Sequence, residues 1–147
     1  MLDGIIHVGC LGHARRKFHD AVKARLEAGA AVASGLAPEA LAMIRKLYVI
    51  EKAAREAKLK PAQRKQLRDE KARPIWNELR AWLDRHPGVM PQERFATTPP
   101  QTLTGKALHY PASEWPRLIR YLDDGRLEID NNLCDYPRVF ATLRRKP

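Results

Sequence analysis

GIIHVGCLGHARRKFHDA, residues 4–21, holds the passage on which the fold class turns. Its first six residues are short, β-branched and bracketed by Gly4 and Gly9, the pattern of a buried strand. From Leu11 the period changes. Ala14, Phe18, Ala21, Val22 and Leu26 recur at helical spacing, while Arg16, Asp20 and Lys23 fall opposite. The passage therefore predicts one strand handing over to an amphipathic helix. It is the one convincing strand in the sequence, and a lone strand makes no sheet. Either its partners lie outside this chain or the segment is not a strand.

Downstream the chain reads as helix. Gly29 and the small residues of AGAAVASGLAP (28–38) end the first helix. Pro38 and Glu39 open a second, since proline suits a first turn and acids favour its positive end. Its apolar face runs Leu41, Ile44, Leu47 and Tyr48, with Glu51 following. LKPAQRKQLRDEKAR (59–73) is polar nearly all round and predicts a helix with a break or kink near Pro74. Ile75, Leu79, Trp82 and Leu83 restore an apolar face that stops before His86-Pro87-Gly88. The proline- and threonine-rich segment 87–105 reads as a connector. A short helix follows over Leu103 to Tyr110. Ser113 is then the expected N-cap of a last helix facing inward with Trp115, Leu118, Ile119 and Leu122. Asp123-Asp124-Gly125 is the turn that stops it. The fold class expected is mostly α with a small β remnant.

The bulk numbers fit one soluble globular domain. Of 147 residues, 44% are apolar and 30% charged, which excludes wholesale disorder. Lys and Arg outnumber Asp and Glu by 27 to 17, a formal charge of +10, and so favour an anionic partner over a merely solvated surface. Cys10 and Cys134 form no disulfide framework, and no apolar run reaches the roughly 18 residues of a membrane helix. MLDGIIHVGC lacks the basic leader and apolar core of a signal peptide. A cytoplasmic protein without membrane contact is the expectation.

Candidate chemistry is sparse. Cys10-x-x-His13 could be half a zinc site, but no second pair stands at matching spacing, so both are read as structural residues at the strand-to-helix junction. Arg15, Arg16 and Lys17, with Lys23 and Arg25 beyond, crowd cations near one helix start. They oppose the helix dipole there, a small penalty that phosphate contacts would offset. Arg144, Arg145 and Lys146 form a second cluster. The two trios are the candidate DNA contacts, sequence-tolerant and phosphate-directed. Asp130 before Asn131-Asn132 reads as a helix N-cap, which leaves Asp135 as the one carboxylate inside the helix beyond. No Ser/His/Asp set or glycine-rich phosphate loop is present.

Four blocks, IIHVGCLGHARRKFHDA (5–21), IRKLYVIEKAARE (44–56), WLDRHPGVMP (82–91) and GKALHYPASEWPRLIRYLDDGRLEIDNNLCD (105–135), resemble in order the C-terminal half of the insertion-sequence-66 family of DDE transposases, a bacterial group. The resemblance implies a ribonuclease-H-like core in which three acids hold two Mg2+ ions that activate a water or a 3′-hydroxyl for attack on DNA. It implies a division into residues 1–10 as a strand remnant of that core, 11–103 as a helical insertion and 104–147 as the C-terminal part carrying the third-acid helix. Asn131 and Asn132 match the family's Asn-Asn-x-x-Glu-Arg pattern, with Asp135 at the Glu position and Tyr136 at the Arg position. Asp135 is thus a degenerate third acid, a catalytic or metal-binding residue only if the two missing acids are supplied. It is expected solvent-facing on a helix beside the 4–9 strand.

From this follows the expectation of a truncated, degenerate transposase fragment, without a cofactor of its own and without independent catalysis. Two rivals stand beside it: a basic helical module binding DNA or a protein partner, and a subunit of an active nuclease completed in trans. Self-association is left open.

Overall fold

A computed structural model describes residues 8–29, 35–86 and 103–130. The chain runs as α1 (Leu11–Glu27), α2 (Leu36–Glu56), α3 (Pro61–Leu67), α4 (Arg73–Arg85), α5 (Leu103–Ser113) and α6 (Trp115–Leu118), with a 3-10 turn over Ile119–Leu122. The mostly α expectation holds, and no strand stands among the described residues. Gly4 to His7 lie outside them. Val8 and Gly9 are irregular, and Cys10 is extended. The amide of Gly9 donates to the carbonyl of Arg117 at 2.9 Å, a single bond to a helix rather than a ladder.

α1 forms where the period placed it. Leu11, Ala14, Phe18 and Ala21 are buried against α5 and α2. No side chain caps α1. The backbone of Ile129 does so instead, accepting from the Leu11 amide at 3.1 Å and relieving one of the amides a helix start leaves unpaired. Leu26, expected on the buried face, is 58% exposed in the last turn. α2 opens at Leu36, so Pro38 sits inside the first turn, where its missing N–H is harmless.

The break expected near Pro74 takes another form. Between α3 and α4 the helix continues through a π-turn over Arg68–Ala72, in which the Arg73 amide donates five residues back to the Arg68 carbonyl. A proline in an α-helix clashes with the carbonyl four residues before it, and the wider turn just ahead of Pro74 accommodates that without ending the helix. Ser113 is likewise corrected. It closes α5 rather than capping α6, donating its hydroxyl to the Tyr110 carbonyl at 3.0 Å, while Glu114 holds the N-cap position. The cause is local: the Glu114 amide still bonds back to Tyr110, so the helix turns on past Pro111.

All the helices but α3 contribute to one core. Phe18, Ile44, Leu47, Trp76, Leu79, Leu83, Leu108 and Leu122 meet in it, closed at the C-terminal side by Ile129. Each fully buried aliphatic or aromatic side chain contributes about 1.5–3 kcal/mol.

Candidate nucleic-acid interface

Many of the cations on α3, α4 and residues 114–128 are paired. Arg64 meets Glu128 at 3.3 Å, Lys65 meets Asp69 at 2.7 Å, and Arg73 bridges Asp69 and Asp123 at 2.6 Å each. Arg117 meets Glu114, and Arg126 meets Asp124. Along α1, none of Arg15, Arg16, Lys17, Lys23 and Arg25 is in a salt bridge among the described residues, nor are Arg45 and Lys46 of α2. Seven cations outside any salt bridge among the described residues therefore stand on α1 and the middle of α2.

Local packing orients these side chains. The Arg15 guanidinium lies over the Tyr48 ring, 4.5 Å from its centroid, and the Lys17 ammonium over Tyr110 at 5.4 Å. Arg16 is exposed. Arg16 and Lys17 border a shallow depression with His13, Asp20 and Tyr110. Charged groups held over rings at the surface have the chemistry to meet phosphate oxygens.

Behind this face two buried polar links tie α2 to the C-terminal segment. The Tyr48 hydroxyl donates to Asp130 Oδ2 at 2.6 Å. Burial, then the hydrogen bond to that carboxylate, raises the Tyr48 pKa far above the ordinary tyrosine value. The second link is Arg68. Its Nε and Nη2 donate to the two oxygens of Glu51 at 3.1 and 2.6 Å. Its remaining donors reach the carbonyls of Tyr121, Asp124 and Leu127 at 2.7, 3.1 and 2.9 Å. The guanidinium also lies over the Tyr121 ring. The three carbonyl bonds of this clamp fasten the segment leading to Asp130, and the two to Glu51 anchor it on α2. The turn itself is as expected: Asp124 Oδ1 accepts from the Arg126 amide at 2.9 Å. Hydrogen bonds from Arg126 hold the Asp124 carboxyl down to about 2.

Of the residues singled out from sequence, Arg15 leans toward α2 over Tyr48, Lys17 toward α5 over Tyr110, and Arg16 is exposed. Asn131, Asn132, Asp135, Arg144, Arg145 and Lys146 lie outside the described residues. Cys10 is buried and His13 exposed, two environments three residues apart. No three His, Cys, Asp or Glu side chains converge so as to hold a metal ion among the described residues. The donor set that Mg2+ requires is thus not assembled within them. No helix among the described residues is long and apolar enough to cross a membrane.

Sequence reasoning missed Arg68, which sits in a stretch polar all round and reads as solvated. One signal pointed to it: Glu51 falls on the apolar face of α2, and a carboxylate there demands a cation. Tyr48–Asp130, 82 residues apart, had no such signal.

The family model described as "Transposase IS66 family" matches residues 1–144. Uncharacterized protein y4jD of Sinorhizobium fredii (strain NBRC 101917 / NGR234) is 32% identical over 139 residues, 93% of this chain. The chain spans only 24% of that relative's length. No solved structure matches the chain. A family match that runs through the basic face, the Arg68 clamp and the turn it holds leaves one conclusion: the chain belongs to the IS66 family of transposases.

Proposed function

We propose that the chain serves DNA transposition by holding duplex DNA against the α1–α2 face, and that these 147 residues do not by themselves cut or join DNA. The observation that carries the first half is the run of cations on α1, with Arg45 and Lys46 of α2, that stand outside any salt bridge among the described residues, while Arg64, Lys65, Arg73 and Arg117 are paired. Counterion release makes such a face bind phosphates of any sequence. Asp135 supports the second half. It stands one methylene short where the family pattern has Glu, and an error of about 1 Å in a catalytic constellation costs on the order of a hundredfold. In this reading the ribonuclease-H-like architecture and the Mg2+ chemistry belong to the whole transposase, and the protein works in the cytoplasm on chromosomal or plasmid DNA.

Fluorescence anisotropy with a labelled duplex across a salt series tests the first half. Affinity falls steeply with salt, and the double variant Arg16→Ala/Lys17→Ala lowers the logarithmic slope by roughly 0.9 for each phosphate it no longer neutralises. An unchanged slope means those cations are only solvated. Supercoiled plasmid with Mg2+ or Mn2+ tests the second half: it stays intact, and clean nicking that disappears in Asp135→Ala refutes the reading.

A further inference from the structure

Between α1 and α2 lies a cleft whose lining includes Arg15, His19, Val22, Leu41, Arg45 and Tyr48. We propose that this cleft binds an unstacked nucleotide of single-stranded DNA, base and phosphate together. The proposal rests on the DNA-binding reading above and adds a distinct ligand to it.

Three observations converge. The cleft is concave and mainly apolar in its walls, with Pro38 and Ala42 beside Val22 and Leu41. Contact with a duplex backbone needs only projecting cations, because the paired bases keep their faces stacked on one another. An apolar hollow offers burial to a flat face, and only an unstacked base presents one. Next, the cleft carries planar groups suited to stacking. The Arg15 guanidinium lies over the Tyr48 ring, 4.5 Å from its centroid, and the exposed His19 stands one helical turn further along α1. Last, cations from both helices, Arg15 and Arg45, stand at this hollow without a salt bridge among the described residues, in place to take the phosphate that follows the base.

The wall is also fixed. The Tyr48 hydroxyl is tied to Asp130 at 2.6 Å, so the ring is held in place. The Asp130 carboxylate is engaged by that hydroxyl and is buried. A nucleotide seated here would lie against Tyr48, the ring whose hydroxyl is bonded to Asp130.

The test compares three labelled ligands on the full chain at one salt concentration: an oligothymidylate, an abasic strand of equal charge, and a duplex. Oligothymidylate binds about tenfold more tightly than the abasic strand, the scale of one or two stacked bases. Ala42→Glu, at an exposed helical position that leaves the core untouched, removes that preference and weakens oligothymidylate about tenfold, while duplex affinity changes about twofold. Arg16→Ala, outside the cleft, weakens all three ligands alike. Circular dichroism of each variant establishes that it is folded. An abasic strand bound as tightly as oligothymidylate, with duplex binding intact, overturns this inference and spares the DNA-binding reading. Loss of all three interactions in the parent protein overturns both. A short phosphopeptide that displaces oligothymidylate at equal concentration assigns the cleft to a protein partner and also overturns the inference.

Discussion

Arg68 and Glu51 form a two-bond ion pair, 3.1 and 2.6 Å, with each residue 1% exposed. Two charges so deep are tolerated because every donor of the guanidinium finds an oxygen, three of them carbonyls of the 121–127 segment. Removing one partner leaves the other charged and buried. Arg68→Ala is expected to destabilise the chain by about 3–5 kcal/mol in urea unfolding. Arg68→Met combined with Glu51→Leu recovers part of that, though not all, because three carbonyls still lack their donor. If Arg68→Ala stays within about 1 kcal/mol of the parent, the clamp is not what holds the segment.

Gly125 is required by contact rather than by dihedral angle. A Cβ built there would come within 1.8 Å of the Pro61 carbonyl oxygen, a backbone atom that no rotamer change can move. Gly125→Ala must push the 123–127 turn off the start of α3 and is expected to cost about 1–3 kcal/mol. Gly29 serves as the reference. Nothing lies within 4 Å of its Cβ position, but its φ is +76°, so Gly29→Ala strains the backbone alone, by about 1–2 kcal/mol. Thermal unfolding with hydrogen exchange separates them, since only Gly125→Ala loosens the amides that follow Asp124. Unaltered exchange at Arg126 and Leu127 would contradict the contact argument.

Much of α1, α2 and α4 was legible in the sequence because each carries a face at helical spacing, and Phe18, Ile44, Leu47, Leu79 and Leu83 are buried where the period put them. The turn at Asp123-Asp124-Gly125 was legible for a different reason: its chemistry is local, an aspartate accepting from the amide two residues on. What period cannot reveal is long-range polar pairing. Arg68 lies in a segment with no apolar face, and its burial depends on Glu51 and on carbonyls more than fifty residues away. The basic trio on α1 was visible as composition, but its lack of salt bridges among the described residues is a property of the fold. The cleft beside it is a property of two helices together, so neither helix's pattern announces it.

Alkaline stability follows from two tyrosines. Burial raises the Tyr48 and Tyr121 hydroxyls well above the ordinary value of 10.0, and for Tyr48 the bond to Asp130 adds to it. A raised folded-state pKa means the unfolded chain ionises first. The contribution of both groups is complete below about pH 10 and is lost as pH climbs from there toward the folded-state values. Melting temperature should thus fall steeply above pH 10, and the fall should be shallower in the double variant Tyr48→Phe/Tyr121→Phe, which has neither proton to lose. Parallel curves for parent and variant would show that neither hydroxyl is buried as described. At neutral pH Tyr48→Phe alone should cost about 1–3 kcal/mol, since it leaves the buried Asp130 short of one donor.

The π-turn makes both faces of the long helix usable, and that can be tested by shortening it. The five residues Arg68–Ala72 insert one residue's worth of rotation between the clamp and the core face of α4. In a plain α-helix each residue turns the chain by about 100°, so removing one residue there would rotate Arg68 by that amount relative to Trp76, Leu79 and Leu83. Burying Arg68 against Glu51 and burying Trp76 beside Tyr121 would become alternatives. Pro74 would also meet a carbonyl four residues back. Deleting the exposed Lys71 should therefore destabilise the chain about as much as Arg68→Ala, some 3–5 kcal/mol by urea unfolding. The two changes remove the same clamp, so adding Arg68→Ala to the deletion should cost little more, a coupling that a double-mutant cycle measures directly. Full additivity would mean that the deletion acts through Pro74 or the α4 core and leaves Arg68 seated on Glu51, and the π-turn would then have no part in placing the clamp.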